Sequence, residues 1–214
     1  MRVLLASLPL FACTSASPTS PSMTEAPVKE ATPVASEVAA AKQGEFQGEI
    51  EFVSIKNGDS PVSAVIRDIT GAIRLGEKAE DGVHRAEGSL TIPLTAVDSQ
   101  LEIRDQRIMN VFFHAQETPS ASFAIDGVKM PEGNEGAGWV DGTLSIGPYT
   151  QDVRGHFLGA SQEEGSWTFE SGEPMVVSIE SLGMGSRLKA LMELCGHRSI
   201  DDSVEVRAKG LLRF

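Results

Sequence analysis

The feature that most constrains this fold is a period-two alternation of apolar and polar side chains in short segments. It occurs in residues 49–52, 90–94, 140–146, 167–169 and 204–207. Such alternation places one face of a β-strand in an apolar core and leaves the other face in water. Turns rich in Gly, Asn, Asp, Glu and Pro separate the segments,. Many short strands joined by such turns predict an all-β sandwich or barrel.

Two segments break this alternation and predict short helices. Residues 104–113 fit one or two helical turns, with Ile108 and later apolar residues on one face,. Residues 186–194 carry leucines and a methionine at helical spacing. Gly196 follows at the position where a glycine commonly ends a helix. We therefore expect a β domain with one or two short helices.

The charge balance limits the partners. The 214-residue chain has 18 Lys and Arg against 30 Asp and Glu, a formal net charge of −12. A nucleic-acid-binding surface needs clustered cations that displace counterions from phosphate, so we expect no nucleic acid partner. We interpret the acidity as a solubility feature, and it argues against charge-driven docking on anionic membrane headgroups. No apolar stretch reaches the roughly 20 residues of a membrane-spanning helix.

The beginning of the chain has the pattern of an export signal. Arg2 supplies a positive charge, and residues 3–12 are almost wholly apolar,. Residues 10–13, Leu-Phe-Ala-Cys, resemble a bacterial lipobox, in which the cysteine is acylated and the leader is removed. We therefore expect residues 1–12 to be a signal peptide and Cys13 to be lipidated. The alternative is an ordinary secretory signal that is cut near Ala16, with loss of the cysteine.

The next segment predicts a tether. Residues 13–43 are rich in Ala, Ser, Thr, Pro and Glu and contain no aromatic residue. Such a composition buries too little apolar surface to offset chain entropy, so we expect disorder up to a β domain over residues 44–214. A disordered tether suits a domain that a lipid anchor holds near a membrane. We expect an exported protein in the bacterial cell envelope, with the anchor in the outer membrane and the domain facing the periplasm.

A family resemblance rests on the segment around the first predicted helix. Residues 104–108, the pair Phe112-Phe113 and residues 119–123 resemble the signature stretch of YceI-like proteins. Residues 50–52 and 140–147 resemble the strands on either side of that stretch. The resemblance implies an extended, lipocalin-like, eight-stranded antiparallel barrel. It also implies a ligand, because family members have been associated with binding a long isoprenoid chain such as a polyprenyl or quinone tail.

Candidate ligand-binding residues follow from this barrel. An eight-stranded barrel is just wide enough to be filled by side chains or to hold one slim ligand. Phe112 and Phe113 resemble the family's aromatic residues near the mouth of the barrel. The expected ligand-binding side chains are Phe52, Ile92, Phe112, Phe113, Phe123, Leu144, Phe157 and Trp167. The alternative for each is ordinary core packing in a filled barrel.

Catalytic chemistry is not expected. The four histidines are widely separated, and Cys195 and His197 have no further Cys or His near them in sequence, so we expect no metal site,. We interpret Cys195 as a small, buried apolar residue. Arg104 and Asp105 are interpreted as a helix cap and a loop-fixing ion pair. We expect no enzyme activity and no cofactor other than a bound isoprenoid lipid.

Two functions remain. The first is an envelope-anchored lipid-binding protein that holds a polyisoprenoid or similar amphiphile in an apolar barrel cavity. The alternative is a structural or interaction lipoprotein whose barrel is filled and whose outer face binds a protein partner. The volume of the barrel interior distinguishes them, because a continuous apolar tunnel near Phe112 and Phe113 favours the first and a packed interior favours the second.

Overall fold

The computed structural model describes residues 42–80, 83–131, 135–162 and 165–214. The strands are β1 (Lys42–Lys56), β2 (Ser60–Lys78), β3 (His84–Pro93), β4 (Val97–Asp98), β5 (Ser120–Lys129), β6 (Glu135–Ile146), β7 (Tyr149–Ser161), β8 (Ser166–Ser171), β9 (Met175–Ser178) and β10 (Ser203–Arg213). The helices are α1 (Glu102–Arg107) and α2 (Gly185–Cys195), with a 3₁₀ turn (Leu94–Ala96) and a π-helical turn (Ile108–Phe113). The predicted signal peptide, Cys13 and the tether as far as residue 41 lie outside the described residues.

Eight of the strands close into an antiparallel barrel. Their order is β1, β10, β8, β7, β6, β5, β3 and β2, and β2 pairs with β1 to complete the ring. The short strands β4 and β9 pair with β2 and β10 outside this ring. The all-β, eight-stranded antiparallel barrel with two short helices is therefore confirmed. In an open sheet with this strand order, β1 and β2 would be edge strands with unpaired main-chain groups, and their pairing in the closed barrel removes those edges,.

The first strand begins two residues before the predicted start of the domain at residue 44. Lys42 pairs with Leu75 of β2, and the ladder continues along the strand with one irregularity between Gly48 and Ile50. Main-chain pairing needs no apolar side chain, so a search for alternating side chains places the start of the strand too late.

Both predicted helices are present. Residues 104–113 form most of α1 and the π-helical turn, and the second predicted helix is α2. Gly196 ends α2 with a left-handed φ of 67°, a conformation that glycine adopts without a steric penalty. Leu188 is the buried residue of α2, so the helix covers the barrel through a narrow apolar face.

The core consists of two apolar clusters rather than one. The first lies under the helices and contains the most completely buried side chains, Ile66, Leu94 and Met184. The second lies towards the other end of the barrel and includes Ile73 and Leu212. This division matters for function because an interior packed throughout would form one continuous core.

Candidate functional site

The barrel encloses an apolar cavity of about 370 Å³ that runs between the two core clusters. On β1 its lining extends from Phe46 to Lys56. Ten residues of strand span about 33 Å, or about 25 Å along the axis of a barrel whose strands tilt by about 40°. The cavity is therefore long and narrow, and its volume falls in the range of roughly 300–1,000 Å³ that is common for ligand sites.

Most of the residues expected to bind ligand do line this cavity. The structure brings seven of them together around one space: Phe52, Ile92, Phe112, Phe113, Phe123, Leu144 and Phe157. They come from β1, β3, β5, β6, β7 and the π-helical turn, so only closure of the barrel makes them neighbours. Their contact with a ligand stays a prediction.

Trp167 is the exception among the expected residues. Its ring stacks on Phe169 with centroids 6.4 Å apart, and it packs against the second core cluster. Phe169 lines the cavity, whereas Trp167 does not. The two residues share one face of β8, but Trp167 lies two positions further from the cavity along that strand. Strand alternation identifies the inward face correctly and does not say where along that face the cavity ends.

Glycines keep the cavity open although large aromatic residues face it. A Cβ added to Gly142 would stand 2.7 Å from Cζ of Phe123, and one added to Gly138 would stand 2.5 Å from Cζ of Phe157. Each ring therefore occupies the space that a side chain on the neighbouring strand would fill. The rings lie along the barrel wall instead of projecting across it, so a lumen remains.

Phe112 and Phe113 are held over one end of the cavity by the two helical segments. Their ring centroids are 5.0 Å apart. The Arg187 Nη1 of α2 donates hydrogen bonds to the carbonyl oxygens of Phe113, at 3.0 Å, and Phe112, at 3.4 Å. These bonds satisfy carbonyls that the end of a helical turn leaves free. The Arg187 guanidinium also lies 5.0 Å from the centre of the Tyr149 ring, so it ties the helices to β7.

The same end of the cavity carries a group of polar side chains. Lys56, Arg104, Arg107, Cys195 and His197 all line it, and we call this group the polar mouth. The Arg107 Nη1 lies 3.7 Å from the Cys195 Sγ, a weak sulfur hydrogen bond,. Sequence reasoning identified none of these residues as part of the site, because they come from a strand end, two helices and a loop with no shared motif.

The interpretation of Arg104 and Asp105 needs one correction. Asp105 does fix a loop, because its carboxylate accepts hydrogen bonds from the backbone nitrogen and the hydroxyl of Ser99. It does so without Arg104, which lines the cavity instead. The residue before α1 also provides no side-chain cap. Adjacent charges on a short helix point in different directions, which is why the expected ion pair does not form.

The ion pairs of Arg154 and Arg67 lie on the outer wall of the barrel and use no residue of the cavity lining. Arg154 donates to both carboxylate oxygens of Asp141 at 2.6 Å, and these hydrogen bonds lower the pKa of Asp141. Arg67 pairs with Asp98 and Glu49, and hydrogen bonding from Arg67 lowers the pKa of Asp98. These pairs join neighbouring strands, and their side chains do not enter the lumen,.

Within residues 42–80, 83–131, 135–162 and 165–214, no three His, Cys, Asp or Glu side chains group closely enough to hold a metal ion. Of the helices in the described part of the chain, none combines the length and apolar composition needed to cross a membrane. The Oε1 atom of Gln151 is a buried acceptor without a hydrogen-bond partner among the described residues.

Comparison with known proteins agrees with this architecture. A family model for the YceI-like domain matches residues 32–210. A polyisoprenoid binding domain from Saccharophagus degradans, implicated in plant cell wall breakdown, superposes with a TM-score of 0.65 and 13% identity, covering 79% of this chain and 97% of that one. BcnA of Burkholderia cenocepacia superposes with a TM-score of 0.57 and 14% identity, covering 77% of this chain and 95% of that one. No curated protein matches the chain. Because the family model covers most of its length, this chain belongs to the YceI-like domain family.

Proposed function

We propose that this protein binds a polyisoprenoid lipid or a similar amphiphile by enclosing its apolar tail in the barrel. One observation carries the proposal: the long apolar cavity of about 370 Å³ that runs between the two core clusters. The family supports it, and so does the S. degradans neighbour, which is described as a polyisoprenoid binding domain. The protein would act by binding alone, without covalent chemistry.

The tail-contacting residues in this proposal are the seven expected side chains that line the cavity. Burial of an apolar tail gains about 25 cal/mol per Å² removed from water. Part of this gain is lost to the entropy of ordering a flexible chain. A closed barrel whose rings are already held against the wall reduces that cost, because the protein need not reorganise to admit the tail.

The lumen weighs against the alternative, a filled barrel whose outer face binds another protein. That function has no need of open apolar space, and empty space in a core costs stability. An interior of this length kept open by paired glycines and aromatic rings therefore favours a tail-binding role.

Anchoring in the cell envelope belongs to the same proposal. Acylation of Cys13 and a tether from there to the start of β1 at Lys42 would hold the barrel beside a membrane from which it takes its lipid. Growth with an alkyne-tagged fatty acid tests this step, since the tag should appear on the full chain and not on the Cys13→Ser variant. If the full chain is unlabelled and absent from the membrane fraction, the proposed anchor is refuted, but lipid binding by the barrel is not.

The test of binding is native mass spectrometry of protein purified from its own envelope, followed by organic extraction. We expect a bound lipid that is lost from the Ala208→Phe variant, because Ala208 lines the cavity on β10. Ala72→Phe is the matched control, since Ala72 is exposed on the outside of β2. Lipid-free wild-type protein across mild preparations would refute the proposed function.

A further inference from the structure

The polar mouth holds cations that have no anionic partner in the described structure. Lys56, Arg104 and Arg107 take part in none of the ion pairs found within residues 42–80, 83–131, 135–162 and 165–214. By contrast, Arg67 and Arg154 on the outer wall each pair with a carboxylate. Among the described Lys and Arg residues, only Arg67, Arg154 and Lys209 have an ion pair, so the lack of a partner gains its meaning from where these three cations lie.

Their position distinguishes these cations from ordinary surface residues. All three are partly buried and line the end of an apolar cavity. Arg107 has five N–H donors, and its one hydrogen bond in the described structure is the weak contact to Cys195,. A guanidinium beside a low-dielectric cavity attracts an anion more strongly than one in bulk water does. The group therefore offers donors and positive charge to whatever occupies the cavity.

Neither the aspartate of α1 nor the acidic residue of the cavity lining forms an ion pair with these cations. Asp105, which shares α1 with Arg104 and Arg107, accepts hydrogen bonds from Ser99. Glu170 is the acidic residue among the described cavity-lining residues, and it lies on β8 beside Phe169 of the second cluster. Lys209 also lines the cavity, but it lies on β10 opposite Glu170 and pairs with Glu49. The lining Lys and Arg residues without an ion pair among the described residues therefore lie together at the helical end.

From this arrangement we infer that the ligand carries an anionic head group, a phosphate or a carboxylate, which binds at the polar mouth while the tail extends towards Phe46. This inference rests on the proposed function, since it names the class of lipid that the cavity takes. Arg107 and Arg104 are the main donors to the head group, and Lys56 adds charge from the end of β1. A neutral alcohol with the same tail leaves all three cations unpaired.

The experiment compares ligands that share a tail length and differ in the head. Full-length protein is freed of lipid by organic extraction and refolded. Calorimetry then measures its affinity for geranylgeraniol, geranylgeranyl phosphate and a C20 monounsaturated fatty acid. A charge-assisted hydrogen bond contributes enough for about a tenfold or greater preference for an anionic ligand. The phosphate and the carboxylate arms show which anion the site prefers.

Variants assign this preference to residues. In Arg107→Gln the ratio of anion to alcohol affinity should fall towards one, and Arg107→Lys should restore much of it by restoring the charge. Arg85→Gln is the control, because Arg85 is an exposed cation on β3 outside the cavity lining. Cys195 supplies a second readout, since an anion held at Arg107 should slow its alkylation by a neutral maleimide, as followed by peptide mass.

The outcomes separate the inference from the function on which it rests. Equal affinity for the alcohol and both anions would overturn the anionic head group and leave lipid binding intact. An anion preference that survives in both Arg107→Gln and Arg104→Gln would overturn the assignment to the polar mouth. Failure of every probe to bind would overturn the proposed function itself.

Discussion

Replacement of Gly142 by alanine tests the idea that glycines keep the lumen open. Gly142 lies on β6, on the face that points into the barrel. An added Cβ would collide with the carbonyl oxygen of Ala124 and stand 2.7 Å from the Phe123 Cζ. The ring can swing away into the lumen, but the carbonyl is main chain and cannot. Overpacking of this kind costs about 1–3 kcal/mol of unfolding free energy.

The matched control is the same change at Gly127, which lies in the barrel wall on β5. Its added Cβ would meet no atom closer than 3.9 Å. Alanine loses less conformational entropy than glycine when it is fixed in a strand, so Gly127→Ala should raise the unfolding free energy by about 0.5–1 kcal/mol. The two variants therefore differ in sign although the substitution is identical.

Thermal denaturation followed by circular dichroism measures both changes. For a domain of this size, 1 kcal/mol moves Tm by about 2–4 °C. Gly142→Ala should melt lower than wild type by roughly 2–12 °C, and it should also bind geranylgeraniol more weakly because Phe123 then obstructs the lumen. If Gly142→Ala has the same Tm as Gly127→Ala and binds geranylgeraniol like wild type, the positions of the aromatic rings do not depend on these glycines. The explanation of the open cavity is then refuted.

Three further changes probe other parts of the molecule. Met184 is completely buried, so Met184→Ala should lower the unfolding free energy by about 2–5 kcal/mol in urea titrations. Gln151→Leu removes a buried acceptor without a described partner and should raise it by about 1 kcal/mol. Hydrogen bonds from Arg154 lower the pKa of Asp141. That pair therefore stabilises the fold above the unfolded pKa of about 3.9, and the stabilisation disappears as the pH falls. Asp141→Asn should be slightly destabilised at pH 7, and its difference from wild type in unfolding free energy should shrink as the pH falls below about 3.9.

The strands and helices were predictable because their determinants are local. Alternation in residues 49–52 and 140–146 identifies strands and their inward faces,. The helical spacing before Gly196 identifies α2 and its end. Closure into a barrel came from the family resemblance, since alternation alone is equally consistent with a sandwich.

The polar mouth was not predictable in the same way. Lys56 ends β1, Arg107 ends α1 and Cys195 ends α2, so the three meet only after the barrel closes and both helices fold over it. Each is ordinary in its own segment: a strand-end lysine, a helical arginine and a cysteine among apolar residues. What distinguishes them is that cationic side chains from separate segments line one end of the cavity, and this convergence exists only in the folded chain.

Whether a barrel is hollow depends on pairs of residues in neighbouring strands, and some of these pairs can be derived from sequence. Gly147 and Pro148 form the two-residue link between β6 and β7, and pairing outward from that turn places Gly138 opposite Phe157, as observed. Phe46 packs over Gly210 in the same manner. However, β1 and β10 are paired in space but far apart in sequence, so no turn between them sets their register. The irregularity after Gly48 also shifts the pairing of β1 with β2. Local hairpins thus reveal part of the lumen, and the strands that close the ring determine the rest.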